Sequence, residues 1–159
     1  MNIEETNEVA KTPAPLDPNA QKLALFIARV ANQKLAKDIV IQNVHDLSTV
    51  TSYYVIATGM NKRQVEAIVD EIVEKVGEEY DLKPLHRDGI ETGTWEVLDF
   101  GDVIVHVFQP NDREHYRFED LWNDASVIDL DAAGFEDLEY SDRVKQVMEK
   151  APKEEVFEK

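Results

Sequence analysis

Cysteine is absent from this sequence of 159 residues, and glycine, proline and basic residues are scarce. Without cysteine the chain has no disulfide, no thiolate metal site and no cysteine nucleophile. Lysine and arginine number 17 against 33 aspartates and glutamates, which gives a formal net charge of −16. Such a balance argues against direct readout of nucleic acid, because phosphates favour lysine and arginine. The acidic surface either attracts a basic partner or only keeps the protein soluble.

Long hydrophobic runs are missing as well. No apolar stretch approaches the roughly 20 residues that span a bilayer, and residues 1–15 lack the basic start and apolar centre of a signal peptide. We therefore expect a cytoplasmic protein without membrane contact. The polar residues 1–16 predict a disordered acidic arm, and residues 124–159, acidic and poor in large apolar side chains, predict a mostly disordered tail. One domain is expected over residues 17–123.

The region between the two tails alternates between helical and strand patterns. Capping residues and apolar spacing predict three helices, which begin near Asp17, Asn61 and Asn111. β-branched and aromatic runs predict strands over residues 38–43, 52–57, 95–99 and 103–108, with an edge strand at 83–86. Helical crossovers join parallel strands, whereas a tight turn joins antiparallel ones. The order therefore predicts an α/β fold with a mixed β-sheet flanked by helices.

The segment 95–108 carries the most information about function. Its second strand is apolar on both faces, as in a central strand of a covered sheet. His106 interrupts this run, and Asp99 and Asp102 flank the turn before it. A histidine in a buried strand is more often hydrogen-bonded core than a ligand, and two carboxylates separated by a turn are poorly placed for one metal ion. We predict no catalytic residue, metal or cofactor here.

The motifs of residues 20–122 resemble those of the ribosomal silencing factor family (RsfS, also called the iojap or DUF143 family). The matching positions are Asp38-Ile39, 52–59, the helix from Asn61, 89–93, Trp95, Leu98-Asp99, Gly101-Asp102, Val105-His106-Val107, Arg113, Tyr116 and Leu121-Trp122. Two positions depart from the family pattern. Glu96 stands where the family usually has an aliphatic residue, and Asn61 stands where it often has serine. Glu96 either adds an acid to a contact surface or marks an outward-facing strand position.

The resemblance implies a nucleotidyltransferase-like fold that lacks the catalytic groups. It also implies binding to the large-subunit ribosomal protein L-fourteen, on the face that meets the small subunit. Occupying that face would block subunit joining and repress translation. No cofactor is implied, and a homodimer stays open.

Two other functions remain as alternatives. The first is an active nucleotidyltransferase, which needs a Gly-Ser turn and paired carboxylates on the next strand to hold magnesium. The sequence instead has Thr58-Gly59-Met60 and no Asp-x-Asp after the helix. The second is a generic acidic adaptor for some other basic protein.

The predicted partner-binding residues are Trp95, Leu98, Asp99, Asp102, Glu91 and Tyr116. Trp95 and Asp99 lie four apart on one strand and therefore share a face. Tryptophan is a favoured interface anchor, and an aspartate can pair with a basic group of the partner. The competing interpretation is that Trp95 packs under a helix and Asp99 caps the turn.

The segment that follows this strand pair is expected to be structural. Leu121 and Trp122 should pack the last helix on the sheet, whereas Tyr116 could expose its hydroxyl at the rim. Arg113 and Arg117 are expected to pair with nearby acids rather than with the partner.

Overall fold

The computed structural model describes residues 18–157. The helices are α1 (Pro18–Gln33), α2 (Lys62–Tyr80), α3 (Pro110–Tyr116), a 3₁₀ helix (Phe118–Trp122) and α4 (Asp142–Lys150), and the strands are β1 (Lys37–Asn43), β2 (Tyr53–Thr58), β3 (His86–Asp88), β4 (Trp95–Asp99), β5 (Val103–Phe108), β6 (Ser126–Ile128) and β7 (Lys153–Glu154). The predicted arm over residues 1–16 and the cap Asp17 lie outside the described residues. Within residues 18–157 we find no helix with the length and apolar character needed to cross a membrane.

The seven strands form one mixed sheet in the order β3-β4-β5-β2-β1-β6-β7. β4 and β5 form the expected antiparallel hairpin, whereas β2 and β5 pair in parallel after the crossover through α2. Both β2 and β5 are buried along their whole length. The mixed sheet with flanking helices confirms the predicted fold class, and the burial of β5 confirms its central position.

One face of the sheet is covered by α1 and α2. Apolar residues at helical spacing, among them Ile27 on α1 and Ile68 and Ile72 on α2, are fully buried in one cluster with Val55 and Val105 of the central strands. Burial of each such side chain contributes roughly 1.5–3 kcal/mol relative to exposure. Because α1 and α2 cover this face, the opposite face of the sheet is left for the other helices and for contact with a partner.

Helix boundaries follow local chemistry. Asn61 caps α2 as predicted, because its side-chain oxygen accepts a hydrogen bond from the Gln64 backbone N–H at 2.8 Å. The predicted cap at Asn111 is wrong: α3 begins at Pro110, after Gln109 in extended conformation. Proline suits the first helical position, since its missing N–H has no partner there and its φ is already helical.

The edge strand β3 covers residues 86–88 rather than 83–86. Its residues pair antiparallel with β4, so that Asp88 lies opposite Val97. Pro84 lies before this ladder, because proline has no N–H to donate to it.

Residues 124–157 are folded, so the prediction of a mostly disordered tail over 124–159 is wrong for the described part. β6 pairs antiparallel with β1, and β7 adds to β6 in parallel. α4 lies on the second face of the sheet, where Val144 is buried against Val40 and Val127. The domain therefore extends beyond the boundary predicted at residue 123.

Polar contacts far apart in sequence hold the end of this segment. The Glu154 carboxylate accepts hydrogen bonds from Gln21 of α1 at 2.6 Å, from Asn43 of β1 at 2.5 Å and from the Tyr53 hydroxyl. Gln21 also accepts from the Phe157 backbone N–H at 2.7 Å. Contacts of this kind leave no local sequence pattern, which explains why the sequence predicted disorder.

Candidate partner-binding face

The second face of the sheet is only partly covered. Over β4, alternate side chains point to this face, namely Trp95, Val97 and Asp99, and all three are partly exposed. α2 packs behind β4, whereas on the front the Tyr116 ring lies 4.8 Å from the Trp95 ring. We call Trp95, Val97, Asp99 and Tyr116 the β4 face.

Trp95 is held in one orientation at the end of this face. Its ring stacks on Phe108 with centroids 4.7 Å apart, and Tyr116 covers another side. Its Nε1 donates a hydrogen bond to His106 Nδ1 at 3.1 Å. A side chain fixed in this way loses little entropy when a partner binds, which suits an interface anchor.

His106 is a core residue, as the sequence predicted. It is 6% exposed, and its ring lies 4.1 Å from the Phe118 ring. Because Nδ1 accepts from Trp95, the proton of the neutral ring lies on Nε2. Burial, followed by the charge of Arg113, lowers the pKa of His106 to about 3. The histidine therefore stays neutral at physiological pH and orients Trp95.

Asp99 and Asp102 lie at the opposite end of the face from Trp95. Asp99 Oδ1 accepts a hydrogen bond from the Gly101 N–H at 2.7 Å, so Asp99 caps the turn, as the competing interpretation has it. Asp99 is nevertheless partly exposed, and Asp102 is exposed, with its carbonyl bound to the N–H of Ser52 and of Tyr53. Their role in partner binding stays a prediction.

Tyr116 and Glu91 are both exposed, but they lie in different places. Tyr116 is 48% exposed and extends the aromatic surface of Trp95. Glu91 lies in the loop between β3 and β4, where its carbonyl accepts from Lys62 Nζ at the start of α2. Gly89 in the same loop has φ +88°, and a Cβ there would lie 2.0 Å from the Trp95 carbonyl. This close approach ties the loop to the Trp95 end of β4.

Two predictions about leucines are wrong. Leu98 is fully buried on the α2 side of β4, so it cannot contact a partner on the β4 face. Leu121 is 70% exposed instead of packing on the sheet, whereas Trp122 does pack, with its ring 5.5 Å from the Tyr54 ring. Alternation along a strand explains the first error, because Leu98 points away from its neighbours Val97 and Asp99.

Glu96 lies neither at a contact surface nor on an outward-facing position. It is fully buried under α2, where Arg87 Nη2 contacts its carboxylate at 3.3 Å and Asp70 at 2.8 Å. Burial raises the pKa of Glu96, and the nearby charge of Arg87 opposes that rise. A carboxylate with one ion-pair partner and little solvent is costly to bury.

Replacing Glu96 with leucine should therefore raise stability, by about 1 kcal/mol, because an apolar side chain suits the site better. Arg87 would not be left without a partner, since it is partly exposed and keeps Asp70. Thermal unfolding measures the change, with Asp70→Asn as the exposed-pair control that should shift little. In the wild type, stability should also fall as pH rises from 4.5 through the raised pKa of Glu96, and this fall should vanish in Glu96→Leu. A large loss of stability in Glu96→Leu would contradict the assignment.

Beside the face, a buried ion network that the sequence did not reveal joins α3 to the 3₁₀ helix. Arg113 and Glu119 are 1% and 0% exposed, and Arg113 Nε lies 3.0 Å from Glu119 Oε1. Arg113 Nη1 also donates to Thr58 Oγ1 at 2.8 Å, at the end of the central strand β2. Burial would raise the pKa of Glu119, but the charges of Arg113 and Arg143 lower it below its ordinary value. The expected pairing of Arg113 with a nearby acid is confirmed, although only the fold shows its burial.

Among residues 18–157, no group of three histidines or carboxylates is placed to hold a metal ion. Asp99 uses one oxygen for the turn, and the fully buried Glu119 is bound to arginine. Of the two aspartates that flank the turn, Asp99 caps the turn and Asp102 is exposed at the surface.

Comparison with known proteins identifies the family of the chain. The family model for ribosomal silencing factor during starvation, RsfS, matches residues 17–157. Ribosomal silencing factor RsfS of Bacillus subtilis is 38% identical over 112 residues, which cover 70% of this chain and 94% of that protein. The chloroplastic protein Iojap of Arabidopsis thaliana is 33% identical over 127 residues, which cover 79% of this chain and 52% of that protein.

A solved structure is similar to this chain over most of its own length. A Chromobacterium violaceum protein aligns with a TM-score of 0.62 at 30% identity, covering 64% of this chain and 84% of the other. The family model spans both the β4 face and the folded C-terminal segment. The chain therefore belongs to the RsfS family of ribosomal silencing factors.

Proposed function

We propose that this protein binds the large ribosomal subunit through ribosomal protein L-fourteen and thereby blocks joining of the small subunit. The observation that carries the proposal is the β4 face, an aromatic surface held rigid from below and left partly uncovered by the fold. Membership of the silencing factor family supports the ribosome as the target. The proposal also places the protein in the cytoplasm, with the ribosomes.

The chemistry of the face fits a basic protein partner. Tryptophan and tyrosine dominate binding energy at interfaces when they are well packed, as Trp95 and Tyr116 are. Asp99 and Asp102 lie at the other end of the face, and the chain as a whole carries a charge of −16. Acids at the rim of an interface steer and orient a positively charged partner. Apolar contact would supply affinity, and the acids would supply selectivity.

Repression by this route needs no chemical step. A folded domain docked where the two subunits meet excludes the small subunit by its bulk. The buried ion pairs and the neutral His106 then act only to hold the docking face in shape.

Sedimentation tests the proposal. Purified large subunits are mixed with the protein and run on a sucrose gradient, and the protein should travel with the subunits. Small subunits added afterwards should then form fewer joined ribosomes than in the absence of the protein. Protein left at the top of the gradient would refute ribosome binding, and normal joining despite binding would refute the steric mechanism.

Binding to isolated ribosomal protein L-fourteen should weaken severalfold between about 0.1 M and 0.5 M salt, because exposed charges are screened. Titration at several salt concentrations measures this. The double variant Asp99→Asn and Asp102→Asn should bind more weakly at low salt and show a flatter salt dependence. Identical salt slopes for the variant and the wild type would show that these two acids do not face the partner.

The two alternatives give distinct results. A nucleotidyltransferase would turn over labelled nucleoside triphosphate in the presence of magnesium, and we expect no turnover. An acidic adaptor would recover a non-ribosomal basic protein from a lysate while leaving large subunits unbound.

A further inference from the structure

One arginine on α4 reaches out of the C-terminal segment to the elements beside the β4 face. Arg143 is 15% exposed, and its guanidinium meets three carboxylates. Nε lies 2.9 Å from Glu114, Nη2 lies 2.5 Å from Glu119 and Nη1 lies 3.4 Å from Asp120. Glu114 belongs to α3, whereas Glu119 and Asp120 belong to the 3₁₀ helix. A single side chain thus connects both helices to α4.

The bridged segment is weak by itself. α3 has seven residues and the 3₁₀ helix has five, and such short helices are marginal without outside support. Between them Arg117 adopts a left-handed conformation with φ 48°, so the helical hydrogen bonds do not run through. Arg143 binds an acid on each side of this break. The buried pair of Arg113 and Glu119 joins the same two helices from inside, and Arg143 adds the link from α4.

This segment also supports the β4 face. Tyr116, at the end of α3, lies against Trp95, and Phe118, at the start of the 3₁₀ helix, lies 6.1 Å from the same ring. The two aromatic residues flank the break at Arg117. A change in the angle between the helices would move one or both of them relative to Trp95.

We propose that Arg143 is a positioning residue for partner binding, through which the C-terminal segment holds α3 and the 3₁₀ helix against Trp95. This inference rests on the proposed function of the β4 face. Arginine suits the task because its planar guanidinium presents several donors at fixed angles, which lysine does not. Burial works against the charge, but Glu119 and Glu114 outweigh it and raise the pKa of Arg143. The charge is therefore permanent.

Electrostatics gives this proposal an unusual test. Removing a positive charge makes the protein more acidic, and by charge alone that should favour a basic partner. A positioning role predicts the opposite, because Tyr116 would lose its fixed place. Lys145, which is exposed on the same helix, offers a matched control with the same change of charge.

Arg143→Met should bind large subunits about two- to thirtyfold more weakly, the range seen when a residue acts through its neighbours. Hydrogen exchange of the backbone amides over residues 114–122 should become faster, while exchange within α2 stays unchanged. Lys145→Met should match the wild type or bind slightly tighter. Arg143→Lys, which keeps the charge without the planar fork, should fall between the wild type and Arg143→Met.

The outcomes separate the two proposals. If the wild type does not bind large subunits, the proposed function fails, whereas the exchange measurement still reports whether Arg143 orders residues 114–122. If the wild type binds and Arg143→Met binds equally well, the positioning role is overturned. A parallel rise in exchange in α2 would instead show a purely global role. Should Arg143→Met not fold, the milder Arg143→Lys carries the same comparison.

Discussion

Replacing Trp95 with alanine is expected to weaken binding to large subunits by roughly 30-fold or more, because truncation of an anchoring tryptophan costs about 2–4 kcal/mol. The ring stacks on Phe108 and lies against the tilted ring of Tyr116, and its Nε1 donates a hydrogen bond to His106. Removing the ring deletes the contact surface, and it also removes the ring against which Tyr116 packs. Sedimentation with large subunits at increasing concentrations measures the loss.

Two further variants separate contact from folding. Trp95→Phe keeps an aromatic ring on Phe108 but loses the hydrogen bond to His106, so it should retain most of the binding. Tyr80→Ala removes a partly exposed tyrosine from α2, behind the sheet, and should bind like the wild type. Each variant is checked by circular dichroism and thermal unfolding. A folded Trp95→Ala that binds normally would show that the β4 face is not the docking surface.

Replacing Glu119 with glutamine is expected to cost about 3–5 kcal/mol of unfolding free energy, since it leaves the buried charge of Arg113 without its main partner. Arg113 is 1% exposed, and its guanidinium otherwise donates to the hydroxyl of Thr58. For a domain of this size, the loss corresponds to a drop in melting temperature of roughly 6–20 °C. Thermal or denaturant unfolding measures it directly.

Glu114→Gln is the matched control for this prediction. Glu114 pairs with Arg143 but is largely exposed, so its loss should cost less than about 1 kcal/mol. Equal effects of the two variants would contradict the assigned role of the buried pair.

The contribution of Glu119 to stability should also depend on pH. Because the pKa of Glu119 lies below its ordinary value of 4.5 in the folded protein, its contribution is complete above pH 4.5. It is lost as the pH falls through the lowered value. The stability difference between wild type and Glu119→Gln should therefore shrink on acidification below pH 4.5.

Local patterns in the sequence were sufficient for the central elements. The apolar run of β5 and the apolar residues at helical spacing in α2 were sufficient to predict that β5 and one face of α2 are buried, and the structure buries both. The cap at Asn61 and the turn at Gly101 follow from short-range chemistry in the same way. These features stay visible in a single sequence because neighbouring residues determine them.

Long-range polar contacts could not be predicted in this way. α4 is nine residues long and mostly polar, and it depends on Val40 and Val127, which are distant in sequence, so it looked disordered. The anchoring of Glu154 by Gln21 and Asn43 likewise joins opposite ends of the chain. At the site, Trp95 and Asp99 could be placed on one face from alternation, whereas the hydrogen bond that Trp95 donates to His106 emerged only from the strand register.

Photo-crosslinking can show whether the β4 face contacts ribosomal protein L-fourteen. A p-benzoylphenylalanine is placed at Tyr116 on the β4 face, and in a second protein at Tyr80 on α2, since the two tyrosines are 48% and 37% exposed. Each protein is bound to purified large subunits, irradiated, and its crosslinked partner is identified by mass spectrometry. We expect a crosslink from position 116 to ribosomal protein L-fourteen and none from position 80. A bound complex that crosslinks from position 80 but not from position 116 would contradict it.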